Sequence, residues 1–152
     1  MPPLRIYLDT SVLGGAFDAE FEADTTVLLR ELRQGDVRAV VSEQVETELE
    51  FAPSVVQALL RELYNLGAER LEVTLEAREL AGAYLAAKVV SPKYLADATH
   101  IALATLAKVD VLVSWNFKHI VNMRRIQGFN GVNLIHGYGT LEIRSPKEVT
   151  GE

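Results

Sequence analysis

The 152-residue chain contains no cysteine. Disulfides, thiolate nucleophiles, zinc–thiolate centres and iron–sulfur clusters are thereby excluded, and a cysteine-free composition suits a cytoplasmic protein. Long apolar runs are missing as well. None reaches the roughly 20 residues that a membrane-spanning helix needs, so no membrane partner is expected. Met1–Arg5 runs straight into a strand-like stretch, where no cleavable leader fits. Excess positive charge is also lacking: 21 acidic side chains against 15 basic ones give a net charge of −6. Proteins that grip nucleic acid through a broad basic face are cationic. Any nucleic-acid partner of this chain must be held by a small basic patch, by metal ions, or by both.

What remains is an ordinary globular composition, 49% hydrophobic and 24% charged, on a length that fits one domain with a core of its own. No internal repeat or low-complexity tract interrupts it. One domain over residues 1–143 and a loose C-terminal tail over 144–152 are expected. Arg5–Leu8 reads as a first strand. Asp24 or Thr25 caps a helix over Thr26–Gln34 that Gly35 stops. Val37–Val41 reads as a second strand, and Ser42 caps a short helix that ends near Phe51, before Pro53. Val56, Leu59, Leu60, Leu63 and Leu66 recur at helical spacing, closed by Gly67. Leu71–Val73 is expected as a strand. A helix through Leu80–Lys88 is broken by Pro92, and an alanine-rich helix covers Tyr94–Ala107. Val111–Val113 and Val132–Ile135 complete the expected strands. Strands alternating with helices predict an α/β fold with a mostly parallel sheet covered on both faces. In such sheets ligands bind beyond the carboxyl ends of the strands.

Polar residues gather at those ends. Asp9-Thr10-Ser11 follows the first strand, where a carboxylate beside hydroxyls suits a hard divalent cation; alternatively Asp9 or Thr10 caps the next turn. The helix after Ser42 carries Glu43, Glu46, Glu48 and Glu50 around an apolar stripe of Val45, Leu49 and Ala52. At 100° per residue, Glu48 lies about 65° from the centre of that stripe, nearer than the others. It is the acid best placed to reach the polar edge of the core. Asp97 and His100 share a face of an otherwise apolar helix with Ile101 and Ala104, and a carboxylate there needs a partner or a metal. His100 reads as a structural histidine or as one that supports a ligand from behind. Ser114 and Asn116 close the fourth strand. Lys118, His119, Arg124 and Arg125 follow as a local positive cluster able to grip phosphates.

The order of these segments, Asp9-Thr10-Ser11, then Ser42 with Glu48-Leu49, then Asp97-Ala98-Thr99-His100-Ile101-Ala102, then Ser114-Trp115-Asn116, resembles the PIN-domain family, particularly its VapC-like toxins. The match covers nearly the whole chain. The resemblance implies a three-layer α/β/α sandwich and a metal-dependent ribonuclease acting as the toxin of a toxin–antitoxin pair. Asp9, Glu48 and Asp97 would hold Mg²⁺ or Mn²⁺, with Thr10 as the usual hydroxyl, Ser114 ahead of the final motif, and Ser11 and His100 behind the ligands. RNA is the implied substrate, an antitoxin chain and a second copy of the toxin the implied partners. Asn116 and His119 stand where the family's fourth acid is often found, so a second metal ion is not implied.

Three crowded carboxylates repel one another unless a cation neutralises them. The chemistry of that cation would be to bind a phosphate oxygen and to activate water for in-line attack at phosphorus. Asn116 and Thr10 would position the water, and Lys118 or Arg124 would face the charge that builds in the transition state. Two other readings stay open. A haloacid-dehalogenase-like phosphatase would use Asp9 as nucleophile, although Ser11 stands where that family has a second Asp. A catalytically weak or inactive PIN-like module would bind RNA or protein without cutting.

Overall fold

Period-two alternation in short apolar strands sets the sheet. In β1 (Leu4–Leu8) Tyr7 faces one side while Ile6 and Leu8 face the other. In β2 (Val37–Ser42) Val40 parts from Ala39 and Val41, and in β4 (Val111–Val113) Leu112 parts from its two neighbours. Both faces are thus apolar, as parallel strands buried between helices require. The computed structural model describes residues 2–150. With β3 (Glu69–Leu71) and β5 (Ile143–Arg144), the strands form one sheet in the order β3-β2-β1-β4-β5, parallel at every pairing. β1 lies at its centre, with Tyr7 in register with Val40 on one side and Leu112 on the other.

Helices cover both faces. α1 (Thr10–Gly15), α2 (Glu22–Gln34), α3 (Glu43–Glu48) and α4 (Ser54–Asn65) pack on the Ile6 and Leu8 side. α5 (Leu75–Ala86), α6 (Leu95–Ala107) and α7 (Met123–Ile135) pack on the Tyr7 side. The layers are helix, sheet, helix. Gly35 ends α2 with a φ of 80°, a left-handed cap that glycine adopts without steric cost. Ser42 caps α3 by accepting the Val45 N–H at 3.3 Å.

Several boundaries differ from the sequence reading. α2 starts at Glu22, and Thr25 is not its cap but a buried linker, donating to the Phe21 carbonyl and accepting from Trp115 Nε1. α3 stops at Glu48, short of Phe51, which is 92% exposed. β3 lies two residues earlier than expected, and a 3₁₀ turn at Pro92–Tyr94 precedes α6. Val132–Ile135 is not a strand. It is the last turn of α7, whose start is capped by Asn122 accepting from Arg124 and Arg125. Asn133 is fully buried there, bonded to Tyr84 and Thr105, so this run serves a helix–helix seam rather than a sheet edge. Residues 144–150 are not loose either. Arg144 belongs to β5, and α8 (Pro146–Val149) follows with a capping box between Ser145 and Glu148. Val149 packs against the α2 side of the core.

Gly15 shows how tightly the site's end of the sheet is packed. A methyl group there would lie 2.7 Å from Trp115 Cδ1 and 3.2 Å from Thr25 Oγ1. Trp115 cannot withdraw, because it stacks on Phe21 at 4.4 Å and is bonded to Thr25. Gly15→Ala is expected to destabilise the protein by about 1–3 kcal/mol in denaturant unfolding, the usual result of overpacking. An unchanged midpoint would show that the tryptophan has room to move.

Candidate functional site

The carboxyl ends of β1 and β4 lie side by side, with Leu8 in register with Val113. Asp9 and Ser114 are the first residues beyond them. Asp9 is 3% exposed, and although it precedes α1 it makes no capping bond. Its oxygens are taken by hydroxyls instead: Ser11 Oγ donates to Oδ1 and Ser114 Oγ to Oδ2, each at 2.6 Å. Those serines are fixed in turn, accepting the backbone N–H of Trp115 and of Asn116, each at 2.9 Å. Burial pushes the Asp9 carboxyl above its ordinary value and the charge of Glu48 adds to this, against His100 and the two serines.

Glu48 ends α3 with its side chain 25% exposed. Its Oε1 accepts from Thr10 Oγ1 at 2.6 Å and from His100 Nε2 at 2.7 Å. Burial pushes its carboxyl up, but the bond and charge of His100, with Thr10 and Gln44, outweigh burial and hold it below the ordinary range. The neighbouring acids of α3 are engaged elsewhere. Glu43 accepts the Val73 N–H at 2.9 Å, and Glu46 pairs with Arg70 at 2.8 Å and with Tyr64.

Asp97 lies in the first turn of α6. Burial pushes its carboxyl up, His100 opposes, and the charges of Asp9 and Glu48 add to the rise. The Asn116 side chain works against that rise. Its Oδ1 accepts the backbone N–H groups of Lys118 at 3.2 Å and His119 at 2.9 Å. The charge of Glu48 is thus felt at both Asp9 and Asp97, and that of Asp9 at Asp97.

The donor set is all oxygen, three carboxylates and the Thr10 hydroxyl, which suits Mg²⁺ or Mn²⁺. Two of the three acids are held above their ordinary range by burial and by one another, a repulsion that a cation relieves. Chemically the residues fit such an ion. Among the described residues, however, no three His, Asp or Glu side chains stand as a ready-made cage.

The basic cluster divides. Lys118 and Arg124 are exposed. Arg125 is half-buried and donates to the Val89 carbonyl at 2.6 Å, which ties it to the loop after α5. His119 is 9% exposed and stacks on Tyr94 with ring centroids 3.6 Å apart. Burial, then the charges of Lys118, Arg125 and Lys93, lower its pKa, so the ring is neutral at neutral pH. Of the four residues expected to grip phosphate, Lys118 and Arg124 are the exposed ones.

No family model matches the chain, and no curated protein matches it. Solved structures do. FitAB bound to the IR36 DNA fragment superposes with a TM-score of 0.61 at 12% identity, covering 93% of this chain and 95% of that one. VapBC2 from Rickettsia felis, bound to a DNA fragment from its promoter, gives 0.59 at 14% identity, over 93% and 98%. VapC20 from Mycobacterium tuberculosis, a sarcin–ricin loop cleaving toxin, gives 0.56 at 17% identity, over 75% and 92%. The chain has the PIN-domain fold. Among the described residues no helix is long and apolar enough to cross a membrane.

Two members of this PIN-fold site escaped the sequence reading. Tyr7 looks like an ordinary core residue of β1, yet its hydroxyl lies 2.6 Å from His100 Nδ1 and 2.7 Å from Ser42 Oγ. Gln44 reaches Glu48 at 3.4 Å. A buried tyrosine hydroxyl needs a polar partner, and that rule was the available signal for Tyr7.

Proposed function

We propose that the chain is a metal-dependent endoribonuclease that hydrolyses RNA phosphodiester bonds as the toxin of a type II toxin–antitoxin pair. The observation that carries this reading is Asp9: a dehydrated carboxylate, gripped by two serines at the junction of the central strands, with Glu48 and Asp97 as electrostatic neighbours. The fold supports it, since VapC20, which shares it, is a sarcin–ricin loop cleaving toxin. Asp9, Asp97 and Glu48 would hold Mg²⁺ or Mn²⁺, which when bound would neutralise phosphate charge and make water a stronger nucleophile. Ser11 and Ser114 orient Asp9, and Thr10 orients Glu48. Asn116 holds Asp97 and offers its amide to the water. Lys118 and Arg124 are the exposed cations placed to meet phosphate. An antitoxin chain and a second copy of the toxin are the proposed partners, in the cytoplasm.

A second reading, an RNA- or protein-binding module that does not cut, is favoured by Asn116 and His119, which stand where a fourth acid is expected, and by the net charge of −6. One assay separates the two. Labelled RNA is incubated with the protein in Mn²⁺, in Mg²⁺ and in chelator. Cleavage with either metal and none in chelator is the expected result. RNA binding that persists in chelator, with no cleavage under any condition, would establish the module instead.

A further inference from the structure

Nothing in the backbone path fixes Glu48 to the strands that carry Asp9 and Ser114. It is the last residue of a six-residue helix, where a glutamate would ordinarily turn to water. A buried line of polar groups holds it instead. From Ser42 Oγ to the Tyr7 hydroxyl is 2.7 Å, from that hydroxyl to His100 Nδ1 is 2.6 Å, and from His100 Nε2 to Glu48 Oε1 is 2.7 Å. Tyr7 and Ser42 are fully covered and His100 is 2% exposed. Water therefore cannot take the place of any of these three partners.

The bonding has one consistent direction for a neutral imidazole. The Glu48 carboxylate only accepts, so His100 Nε2 carries the proton and donates it. His100 Nδ1 then accepts, the Tyr7 hydroxyl donates to it, and the Ser42 hydroxyl donates to Tyr7. Ser42 Oγ keeps a lone pair for the Val45 N–H that it caps. The line also ties together the segments that carry the acids. Tyr7 stands two residues before Asp9, His100 three after Asp97, and Ser42 caps the helix that ends in Glu48.

We propose that this line is the device that places the Glu48 carboxylate at the acid cluster, with His100 and Tyr7 as positioning residues for divalent-cation binding. The inference rests on the metal-site reading above. Its content is that a donor at the Nε2 position, rather than the bulk of a histidine, makes Glu48 available to the ion. Residues that orient ligands in this way change metal affinity by about 10–100-fold when removed.

The test uses the full chain and titrates Mn²⁺ by electron paramagnetic resonance, with circular dichroism and melting to confirm folding. His100→Gln keeps a donor where Nε2 was, while His100→Asn keeps only a partner for Tyr7. His100→Asn is expected to weaken Mn²⁺ binding by about 10–100-fold, and His100→Gln by no more than about threefold. Tyr7→Phe, which removes one hydroxyl and leaves the ring in place, is expected to weaken it several-fold. A folded His100→Asn protein with wild-type affinity would overturn the proposal, as would a Gln variant as weak as the Asn variant. If His100→Asn does not fold, Tyr7→Phe decides: unchanged affinity there overturns the proposal. Wild-type protein that binds no Mn²⁺ would sink the metal-site reading itself. Wild-type protein that binds Mn²⁺ without cutting RNA would sink the ribonuclease reading and leave this inference standing.

Discussion

Asp9→Asn is expected to lower Mn²⁺-dependent RNA cleavage by on the order of 10²–10⁴-fold while the protein stays folded. The size follows from the several kcal/mol that a bound cation contributes to transition-state stabilisation, at about 1.4 kcal/mol per decade of rate. The fold should survive because the substitution removes a buried charge and little else. Asn Oδ1 still accepts from one of the two serines. The other serine turns its proton away and accepts from the new amide, as Ser114 Oγ already does from the Asn116 N–H. With burial holding the native carboxyl above its ordinary value, the metal-free variant should melt no lower than wild type. Single-turnover cleavage and a melting curve on the same preparation check both halves. Undiminished cleavage by the folded variant would remove Asp9 from the chemistry.

Mn²⁺ should raise the melting temperature of wild type at neutral pH. At about 100 times its dissociation constant a ligand adds about 2.7 kcal/mol, or roughly 5–10 °C for a chain of this size. The gain should depend on pH with a definite sign. Asp9 and Asp97 are raised, by burial first, so each binds its proton more tightly folded than unfolded. Their protonation stabilises the metal-free fold below the unfolded value and is lost as pH rises through the folded one. His100 is also raised, since Glu48 outweighs its burial, and acts in the same direction around its own higher range. Glu48, Glu46 and Glu62 are lowered and oppose this only as pH falls below the ordinary carboxylate range, whereas His119, also lowered, opposes His100 within the histidine range. The metal-free melting temperature should therefore rise as pH falls from below the histidine range toward the ordinary carboxylate range. The increment from Mn²⁺ should shrink over the same interval as protons compete for the same oxygens. A metal-free curve that falls over that interval, or no increment at neutral pH, would contradict the assignment.

The fold was legible where one residue carries a local rule. Gly35 stops α2, Ser42 caps α3, and the leucines of α4 repeat at helical spacing, each through chemistry confined to a few neighbouring residues. Val132–Ile135 misled because four apolar residues do not reveal their period. The cap that settles the matter, Asn122, stands ten residues upstream of that run, with Gly128 and Gly131 between diluting the helical pattern. At the C-terminus, Ser145-Pro146-Lys147-Glu148 spells a capping box with proline at the first helical position, a signal that was present and passed over. In the site, a helical-wheel angle was enough to single out Glu48 from the other acids of α3. The partners of Glu48 were not legible, because Thr10 and His100 lie 38 and 52 residues away and only the packed sheet brings them within reach. The covering of Arg125 and His119 was not legible, because it depends on Val89 and Tyr94, which no local pattern connects to them.

Trp115 is the only tryptophan in the chain. It stands between Ser114 and Asn116, donates its backbone N–H to Ser11 Oγ, and stacks on Phe21. An indole held by Phe21 and Thr25, on a backbone bonded to the serine that grips Asp9, makes its fluorescence an intrinsic, label-free reporter of this end of the sheet. Stopped-flow mixing with ions or nucleotides can therefore be watched without any dye, with no second indole to dilute the emission.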